Sequence, residues 1–309
     1  MRPGASSRRG TTDQLVFLVN PAAGSGRAGG VWDGLVESHP ELRGANVVRE
    51  SRPQPAAEKL RAAFAAGARA VVAVGGDGTA HMVSNVLLGD GLGDRIAMGL
   101  VPGGTGSDLC KSLGIPDAPS AALQAALEGE PRPLDAFEVR RPGQPVLWCV
   151  NTVSTGVAGV VVEAVNQLTR RGNLVYMTAT VRALVGYRPV ACRVTVDGET
   201  LHEGPIFLMA VANGVTFGKG MRIAPRAKTD DGLADVVVVV DVPRWQLPFR
   251  VPQVFLGRHL NASVVRFRQA RTVACEPLGP FTAYELDGDV GAPGPVEVRV
   301  VPGALKVLR

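Results

Sequence analysis

Three polar, glycine-rich segments each follow an apolar run in the first third of the chain. They are Asn20-Pro21-Ala22-Ala23-Gly24, Gly75-Gly76-Asp77-Gly78-Thr79 and Pro102-Gly103-Gly104-Thr105. Small and β-branched residues in an unbroken run are typical of a buried parallel strand. In open α/β sheets, ligands bind beyond the carboxyl ends of such strands, where glycine N–H groups and helix N-termini can bind phosphate. The spacing therefore predicts one nucleotide-phosphate site formed by several strand ends.

A simpler interpretation exists for a single segment of this kind. A strand followed by Gly-Gly-Asp-Gly can be a tight turn in which Asp77 caps the next helix. Three unrelated turns of this composition explain the pattern less well than one phosphate site. The segment at Asn20 is not a P-loop, because no Gly-Lys-Ser/Thr follows it. A carboxylate at Asp77 favours a nucleotide bound with Mg²⁺, or an aspartate that orients the loop and accepts a proton.

Five segments, taken in order, resemble the diacylglycerol kinase catalytic family, which includes bacterial lipid kinases, sphingosine kinases and ceramide kinases. They lie at 20–24, 75–79, 102–108, 224–233 and 286–289. The Gly-Gly-Asp-Gly-Thr element alone is shared with NAD kinases and phosphofructokinases. The ordered set is far more specific, and the resemblance spans nearly the whole chain.

The resemblance implies a lipid kinase that uses ATP and Mg²⁺. The positions implied to contact ATP are Asn20, Pro21, Ala22, Ala23, Gly24, Ser51, Gly75, Gly76, Asp77, Gly78, Thr79, Ala80, His81, Met82, Gly104 and Thr105. Asp231 is the candidate metal ligand, and the resemblance places the accompanying main-chain oxygens at Lys228 and Leu233. Asp289 is the predicted general base, since a positioned carboxylate can take the proton of a lipid hydroxyl, and Asp77 is expected to act with it.

Several positions depart from the family's usual residues. Asp289 stands where Glu is usual, so its carboxylate reaches about one methylene less. The others are Ser51 for Thr, Met82 for Glu and Ser107 for Asn. These departures leave open a catalytically weak lipid or nucleotide sensor. An NAD kinase-like enzyme is a second alternative, which the Asn20-Pro21 loop and the Asp-Gly-Asp ending oppose. Ordinary Asp-Gly turns remain the alternative interpretation of both Asp231 and Asp289.

The order of the predicted elements indicates two domains. Strands near 15–19, 45–49, 70–74 and 96–101 alternate with helices near 28–39, 56–66, 79–88 and 120–128. This alternation predicts a doubly wound, Rossmann-like α/β nucleotide-binding domain over 13–132, of the type found in NAD kinases and diacylglycerol kinases.

The pattern after that domain is mostly β. Predicted strands lie at 134–139, 146–153, 190–196, 205–212, 234–240, 263–267, 272–274 and 295–301, with helices at 157–171, 173–186 and 245–257. We interpret 133–303 as a β-sandwich domain for the lipid substrate. Residues 1–12 are expected to form a disordered leader, and 304–309 a tail that returns to the first domain.

Composition narrows the partners. The 309 residues are 46% hydrophobic and carry a net charge of +5, with a pI near 9.3. A mildly basic surface suits nucleotide phosphates and an anionic membrane, whereas no basic run with interleaved aromatics indicates nucleic acid. The sequence contains no stretch of about 18 uninterrupted apolar residues, so it predicts no transmembrane helix. The four cysteines form no Cys-x-x-Cys pair and fit a reducing cytoplasm.

These observations predict a cytoplasmic enzyme, peripheral to the inner face of the membrane, whose partner is a membrane lipid with a free hydroxyl. Diacylglycerol, which would give phosphatidic acid, is the expected acceptor. A sphingoid base or ceramide remains an alternative, because acyl-chain pockets leave no short motif. A homodimer also remains open.

Overall fold

The computed structural model describes residues 14–103, 107–166 and 173–309. The chain divides into two units, and the first comprises 1–105, 114–132 and 305–309. The second comprises 106–113 and 133–304. The predicted leader at 1–12 and the predicted ATP contacts Gly104 and Thr105 lie outside the described residues.

The helices and strands are numbered in chain order. The helices are α1 (Ala23–Ser38), α2 (Pro53–Ala65), α3 (Asp77–Gly89), α4 (Asp108–Leu113), α5 (Pro119–Glu128), α6 (Val157–Asn166), α7 (Asn173–Gly186) and α8 (Leu247–Phe255). The strands are β1 (Leu15–Val19), β2 (Asn46–Arg49), β3 (Ala70–Gly75), β4 (Ala97–Pro102), β5 (Pro131–Arg140), β6 (Leu147–Cys149), β7 (Thr152–Gly156), β8 (Val190–Val196), β9 (Glu199–Ala212), β10 (Ala234–Val240), β11 (Val265–Ala270), β12 (Thr272–Pro277), β13 (Tyr284–Leu286), β14 (Asp289–Gly291) and β15 (Val296–Leu308). Short 3-10 turns occur at Pro40–Leu42, Arg244–Gln246 and His259–Asn261.

The first unit is built on a parallel sheet with helices around it, in the order β4-β3-β1-β2. Every residue of β3 is buried, which explains why its sequence is an unbroken apolar run. The end of β15 pairs in parallel with β4, with Lys306 opposite Ala97. The predicted doubly wound α/β class is confirmed.

The second unit is mostly antiparallel, and its central strands have two buried faces. Along β10, Val236 and Val238 pack into one apolar core, whereas Val237 and Val239 contact another that includes residues of α6, α7 and α8. Successive side chains of a strand point to opposite faces, so an all-valine run can supply both cores. The predicted β-sandwich class of this part is confirmed, with helices covering one face of the sheet.

Two Asp-Gly pairs form two-residue hairpin turns in this unit. Asp197-Gly198 joins β8 to β9, and Asp287-Gly288 joins β13 to β14. All four residues have positive φ, from 46° to 95°. A type I′ turn requires that conformation at both central positions, which Asp-Gly tolerates well.

Three differences from the predicted elements bear on the site. The strand expected at 146–153 is two strands, β6 and β7, with a short loop at Val150 and Asn151. The helix expected at 157–171 is described only as far as Asn166, since 167–172 lie outside the described residues. Neither α4 nor the β13–β14 hairpin was predicted, because three to six residues are too few for periodicity to identify.

Among the described residues, no helix combines the length and the apolarity needed to span a bilayer.

Candidate active site

Backbone hydrogen bonds join the carboxyl ends of the strands in the first unit. The N–H of Asn20, just after β1, donates to the carbonyl of Val74 at 3.1 Å. The N–H of Gly103, just after β4, donates to the carbonyl of Gly75 at 2.7 Å. Because these bonds lie at the same edge of the sheet, they bring the predicted phosphate segments at Asn20, Gly75 and Gly103 together.

The side chain of Asn20 connects two of these segments. Its Nδ2 donates to Thr79 Oγ1 at 3.2 Å, and its Oδ1 accepts the N–H of Ala22 at 3.1 Å. The amide thus fixes the first turn after β1 and orients the hydroxyl of Thr79 in the first turn of α3. Thr79 is buried, so that hydroxyl is held in one direction.

The loop after Asn20 has an unusual backbone. Gly24, Ser25 and Gly26 lie successively in the left-handed region, with φ of 61°, 60° and 91°. Regular helical geometry therefore begins only after Gly26, close to the helix start predicted at 28. A turn of this kind directs neighbouring N–H groups to one side, which is how backbone nests bind anions.

The glycines after β3 have two different structural causes. A Cβ at Gly75 would lie 2.1 Å from Thr79 Oγ1, so packing requires glycine there. Among the described residues, and apart from the adjoining backbone, no atom lies within 4 Å of a Cβ built at Gly76 or Gly78. Packing within the described part of the chain does not require glycine at these two positions, and the space beside them fits the close approach of a phosphate to the backbone.

The remaining predicted ATP positions differ in exposure. Ser51 is exposed and follows β2, and the N–H of its neighbour Glu50 donates to Val19 O at 3.1 Å. Ser51 therefore stands at the same sheet edge. By contrast, the side chains of Ala80, His81 and Met82 are buried in α3. Contact between ATP and those three side chains stays a prediction.

The predicted base, Asp289, opens β14 directly after a hairpin turn and is exposed. The preceding Asp287 is buried, and its carboxylate accepts the backbone N–H groups of Val150 (2.8 Å), Asn151 (2.9 Å) and Thr152 (2.9 Å). The thiol of Cys149 donates to the same carboxylate at 2.8 Å. Asp287 thus binds the loop between β6 and β7 to the hairpin that presents Asp289, a role that sequence reasoning missed.

A second buried carboxylate supports this hairpin. Glu285 accepts the Ser154 hydroxyl at 2.5 Å with one oxygen and the N–H of Gly288 at 2.6 Å with the other. The turn residue before Asp289 is therefore fixed by a side chain of β13. The sequence gave no signal for this contact, because Glu285 lies in a strand of only three residues and its partners are brought to it by the fold.

The predicted metal residue, Asp231, lies in an exposed turn before β10, where its Oδ1 accepts the N–H of Leu233 at 3.1 Å. Beneath the turn, Asp135 accepts the N–H of Gly232 at 2.6 Å and that of Gly303 at 2.7 Å. Burial raises the pKa of Asp135, and the carboxylates of Asp231 and Asp230 raise it further. This turn therefore concentrates negative charge.

Asp235 adds to that charge. It is buried, burial raises its pKa, and Asp231 contributes in the same direction. Its Oδ2 has no hydrogen-bond partner among the described residues. Carboxylate and carbonyl oxygens of this kind fit a hard divalent cation. No group of three or more His, Cys, Asp or Glu side chains suited to a metal occurs in the described part of the chain, so a cation at Asp231 would also need main-chain or water oxygens.

Asp108 is a further acidic residue that the sequence analysis did not assign. It begins α4, is buried, and accepts the N–H of Lys219 at 2.7 Å. Burial raises its pKa, while the hydrogen bond from the backbone of Lys219 and the charge of Lys111 lower it. Lys219 has a φ of 69°, in the left-handed region. The contact with Asp108 therefore fixes an unusual backbone conformation in the loop that also contains Arg222.

Comparison with known proteins gives the family of this chain. Residues 14–139 match the family model of the diacylglycerol kinase catalytic domain. Residues 151–309 match that of the YegS C-terminal NAD kinase beta sandwich-like domain. A diacylglycerol kinase of Mycobacterium tuberculosis is 30% identical over 306 residues, which cover 98% of this chain and 97% of that protein. A YegS-like lipid kinase of Chromohalobacter salexigens is 34% identical over 58% of this chain and 56% of its own length.

Solved structures show the same fold. A diacylglycerol kinase from Bacillus anthracis str. Sterne aligns over 96% of both chains with a TM-score of 0.70 at 20% identity. An NAD kinase from Archaeoglobus fulgidus, in complex with ATP, aligns over 96% of this chain and 93% of its own with a TM-score of 0.53 at 13% identity. The chain belongs to the diacylglycerol kinase family and is a kinase that transfers phosphate to an alcohol, with ATP as the substrate that the family implies.

Proposed function

We propose that this kinase transfers the γ-phosphate of ATP to the hydroxyl of a membrane lipid, with diacylglycerol as acceptor and phosphatidic acid as product. The observation that carries the proposal is the sheet edge at Asn20, Gly75 and Gly103, with space at Gly76 and Gly78 that no side chain of the described residues fills. The name of the Mycobacterium tuberculosis relative supports diacylglycerol over a sphingoid base or ceramide.

The proposed roles follow from the chemistry of phosphoryl transfer, in which positioning and charge neutralisation contribute most. The backbones of Gly24, Gly76 and Gly78 would hold the phosphates, and the Thr79 hydroxyl, oriented by Asn20, would donate to a phosphate or ribose oxygen. Asp289 would accept the proton of the lipid hydroxyl as it attacks. Asp77, in the first turn of α3, would act with it.

Mg²⁺ is part of the proposal. Asp231, with the main-chain oxygens of Lys228 and Leu233, would hold it in the acidic turn, where the crowded carboxylates favour a divalent cation. The ion would supply positive charge that stabilises this loop and its oxygen ligands. We further propose a cytoplasmic enzyme that works at the inner face of the membrane, and we keep the homodimer as a hypothesis for direct measurement.

A screen with radiolabelled ATP tests the reaction. The acceptors are diacylglycerol, ceramide, a sphingoid base and NAD, each with the wild type and with Asp289→Asn and Asp77→Ala. We expect labelled phosphatidic acid from the wild type, a loss of about 10²–10⁴-fold with Asp289→Asn, and no turnover with Asp77→Ala at an unchanged thermal midpoint. Labelling of NAD alone would replace the proposal with a dinucleotide kinase, and binding without labelling of any acceptor would indicate a sensor.

A further inference from the structure

An exposed apolar surface lies on the second unit, formed by the last turns of α7 and by the turn and helix that contain α8. Six of the nine large apolar side chains that are exposed in the described part of the chain belong to it: Val181, Val185, Trp245, Phe249, Phe255 and Leu256. We call these six residues the aromatic face. Trp245 and Phe249 are 72% and 69% exposed, more than the other large apolar side chains that are exposed in the described part of the chain.

The two segments form one surface. The Arg244 guanidinium donates to the carbonyls of Val185 at 2.6 Å and Tyr187 at 2.8 Å, which fastens the turn before α8 to the end of α7. Beneath them, Tyr187 and Leu247 pack in the same apolar core. The aromatic face is therefore the outer side of a well-anchored pair of elements.

The two segments that carry the aromatic face are basic, and the exposed Asp241 directly precedes the second of them. The segments 173–189 and 242–258 contain five arginines and no aspartate or glutamate. The arginines are Arg182, Arg188, Arg244, Arg250 and Arg258. None of them forms a salt bridge among the described residues, so their charge is not neutralised within the unit. An apolar patch carried by segments with unneutralised cations complements an anionic surface that has an apolar interior.

We propose that the aromatic face docks this enzyme on an anionic lipid surface, with Trp245 and Phe249 at the boundary of the acyl chains and the arginines against the headgroup phosphates. The inference rests on the proposed function, which requires a lipid acceptor in a membrane. Tryptophan is favoured at this boundary because its ring is amphipathic, and arginine can extend its charged end to the headgroups. The segment lies on the bilayer, since α8 has only nine residues.

A second copy of the chain is the competing occupant, and the charges oppose it. In a two-fold dimer through this surface, each copy would present the same patch to the other. Five arginines would then face five arginines with no acidic residue in either segment. Like charges brought together in this way repel each other, whereas an anionic lipid surface attracts each of the arginines.

Vesicle sedimentation tests the proposal with the full chain, without ATP and without a lipid acceptor. Vesicles of phosphatidylcholine with phosphatidylglycerol are compared with vesicles of phosphatidylcholine alone. The double variant Trp245→Ala, Phe249→Ala should lose at least about tenfold in partitioning, because two aromatic rings leave the membrane. Arg182→Gln and Arg258→Gln should each lose about fivefold, and only on the anionic vesicles. Val146→Ala and Leu278→Ala, which are similarly exposed at 45% and 46% outside the aromatic face, should bind as the wild type does.

A second measurement uses fluorescence and a conservative substitution, so a loss of folding stability does not affect its result. Tryptophan fluorescence of the wild type should be quenched by brominated phospholipid. Trp245→Phe should remove most of that quenching, since Trp32 is buried at 3% exposure and Trp148, in β6, is half-buried and lies outside the aromatic face. Unchanged binding of the aromatic double variant, together with unchanged quenching in Trp245→Phe, would overturn the proposal. A dimeric wild type that the double variant makes monomeric, at equal vesicle binding, would assign the face to a second copy. Vesicle binding through the face without phosphorylation of any lipid would leave the docking intact and overturn only the proposed kinase reaction.

Discussion

Asp287 and Asp289 stand on either side of Gly288, and we expect opposite outcomes when each is changed to asparagine. Asp287 is only 4% exposed, whereas Asp289 is exposed. Asp287→Asn should lower the free energy of unfolding, because the buried carboxylate organises a loop of the second unit. Asp289→Asn should leave the stability unchanged and reduce the chemical step by about 10²–10⁴-fold, the usual contribution of a positioned acid–base group.

The size of the first effect follows from the hydrogen bonds of Asp287. Its Oδ1 accepts the N–H groups of Asn151 and Thr152, and an asparagine carbonyl can still do so, though without the charge. Its Oδ2 accepts the N–H of Val150, and in asparagine an NH₂ group would face that donor. Losing one charge-assisted bond and leaving a buried donor unsatisfied costs about 2–4 kcal/mol in total. We expect the thermal midpoint of the second unit to fall by about 5–15 °C.

The other Asp-Gly hairpin provides a matched control. Asp197 has the same turn geometry and accepts the N–H groups of Arg271 at 3.0 Å and Thr272 at 2.8 Å, but it is exposed. Water can replace its bonds, so Asp197→Asn should cost no more than about 1 kcal/mol. Calorimetry and urea unfolding of the three variants, with ATP turnover measured at a temperature where all are folded, give both quantities.

Two results would refute this reasoning. If Asp287→Asn unfolds like the wild type and loses turnover instead, then Asp287 acts in the chemistry and its buried hydrogen bonds do not stabilise the unit. If Asp289→Asn and Asp289→Glu both turn over like the wild type, the base lies elsewhere, and Asp77 becomes the leading candidate.

Three further predictions concern other residues. Thr79→Val, which removes the hydroxyl that Asn20 contacts, should raise the KM for ATP about fivefold, whereas Thr79→Ser should not; equal KM values in all three proteins would contradict the role of the hydroxyl. Asp231→Asn should raise the Mg²⁺ concentration needed for half-maximal rate, and Asp230→Asn should raise it less; an unchanged Mg²⁺ titration would leave Asp231 as a turn residue. Burial lowers the pKa of His259, so the unfolded state binds a proton at a higher pH than the folded state does. The thermal midpoint of the wild type should therefore fall as the pH drops below about 6.5, and that of His259→Gln should fall less. Parallel pH profiles of the two proteins would refute this.

The clustering of the candidate phosphate-binding segments could be predicted from the sequence because the signals are local. A strand and the glycines that follow it are adjacent in the chain, and parallel strands necessarily bring their carboxyl ends to one edge. The contacts from Asn20 to Val74 and Thr79, and from Gly103 to Gly75, then follow from the sheet order. The sequence does not show which of these glycines is required by packing. Only the position of Thr79 distinguishes Gly75, which it contacts, from Gly76.

Only the tertiary structure shows which acidic residues of the second unit are buried and hold loops and which are exposed. In the sequence Asp287-Gly288-Asp289, the two carboxylates cannot be told apart. In the structure they differ, because Asp287 contacts a loop that lies 135 to 138 positions away in the chain. Asp135 beneath the turn at Gly232 and Gly303 is a similar case. The apolar residues of α8 likewise resemble ordinary core residues, and only their exposure identifies a surface. Burial and charge pairing depend on distant segments packing together, and local sequence patterns carry no record of that packing.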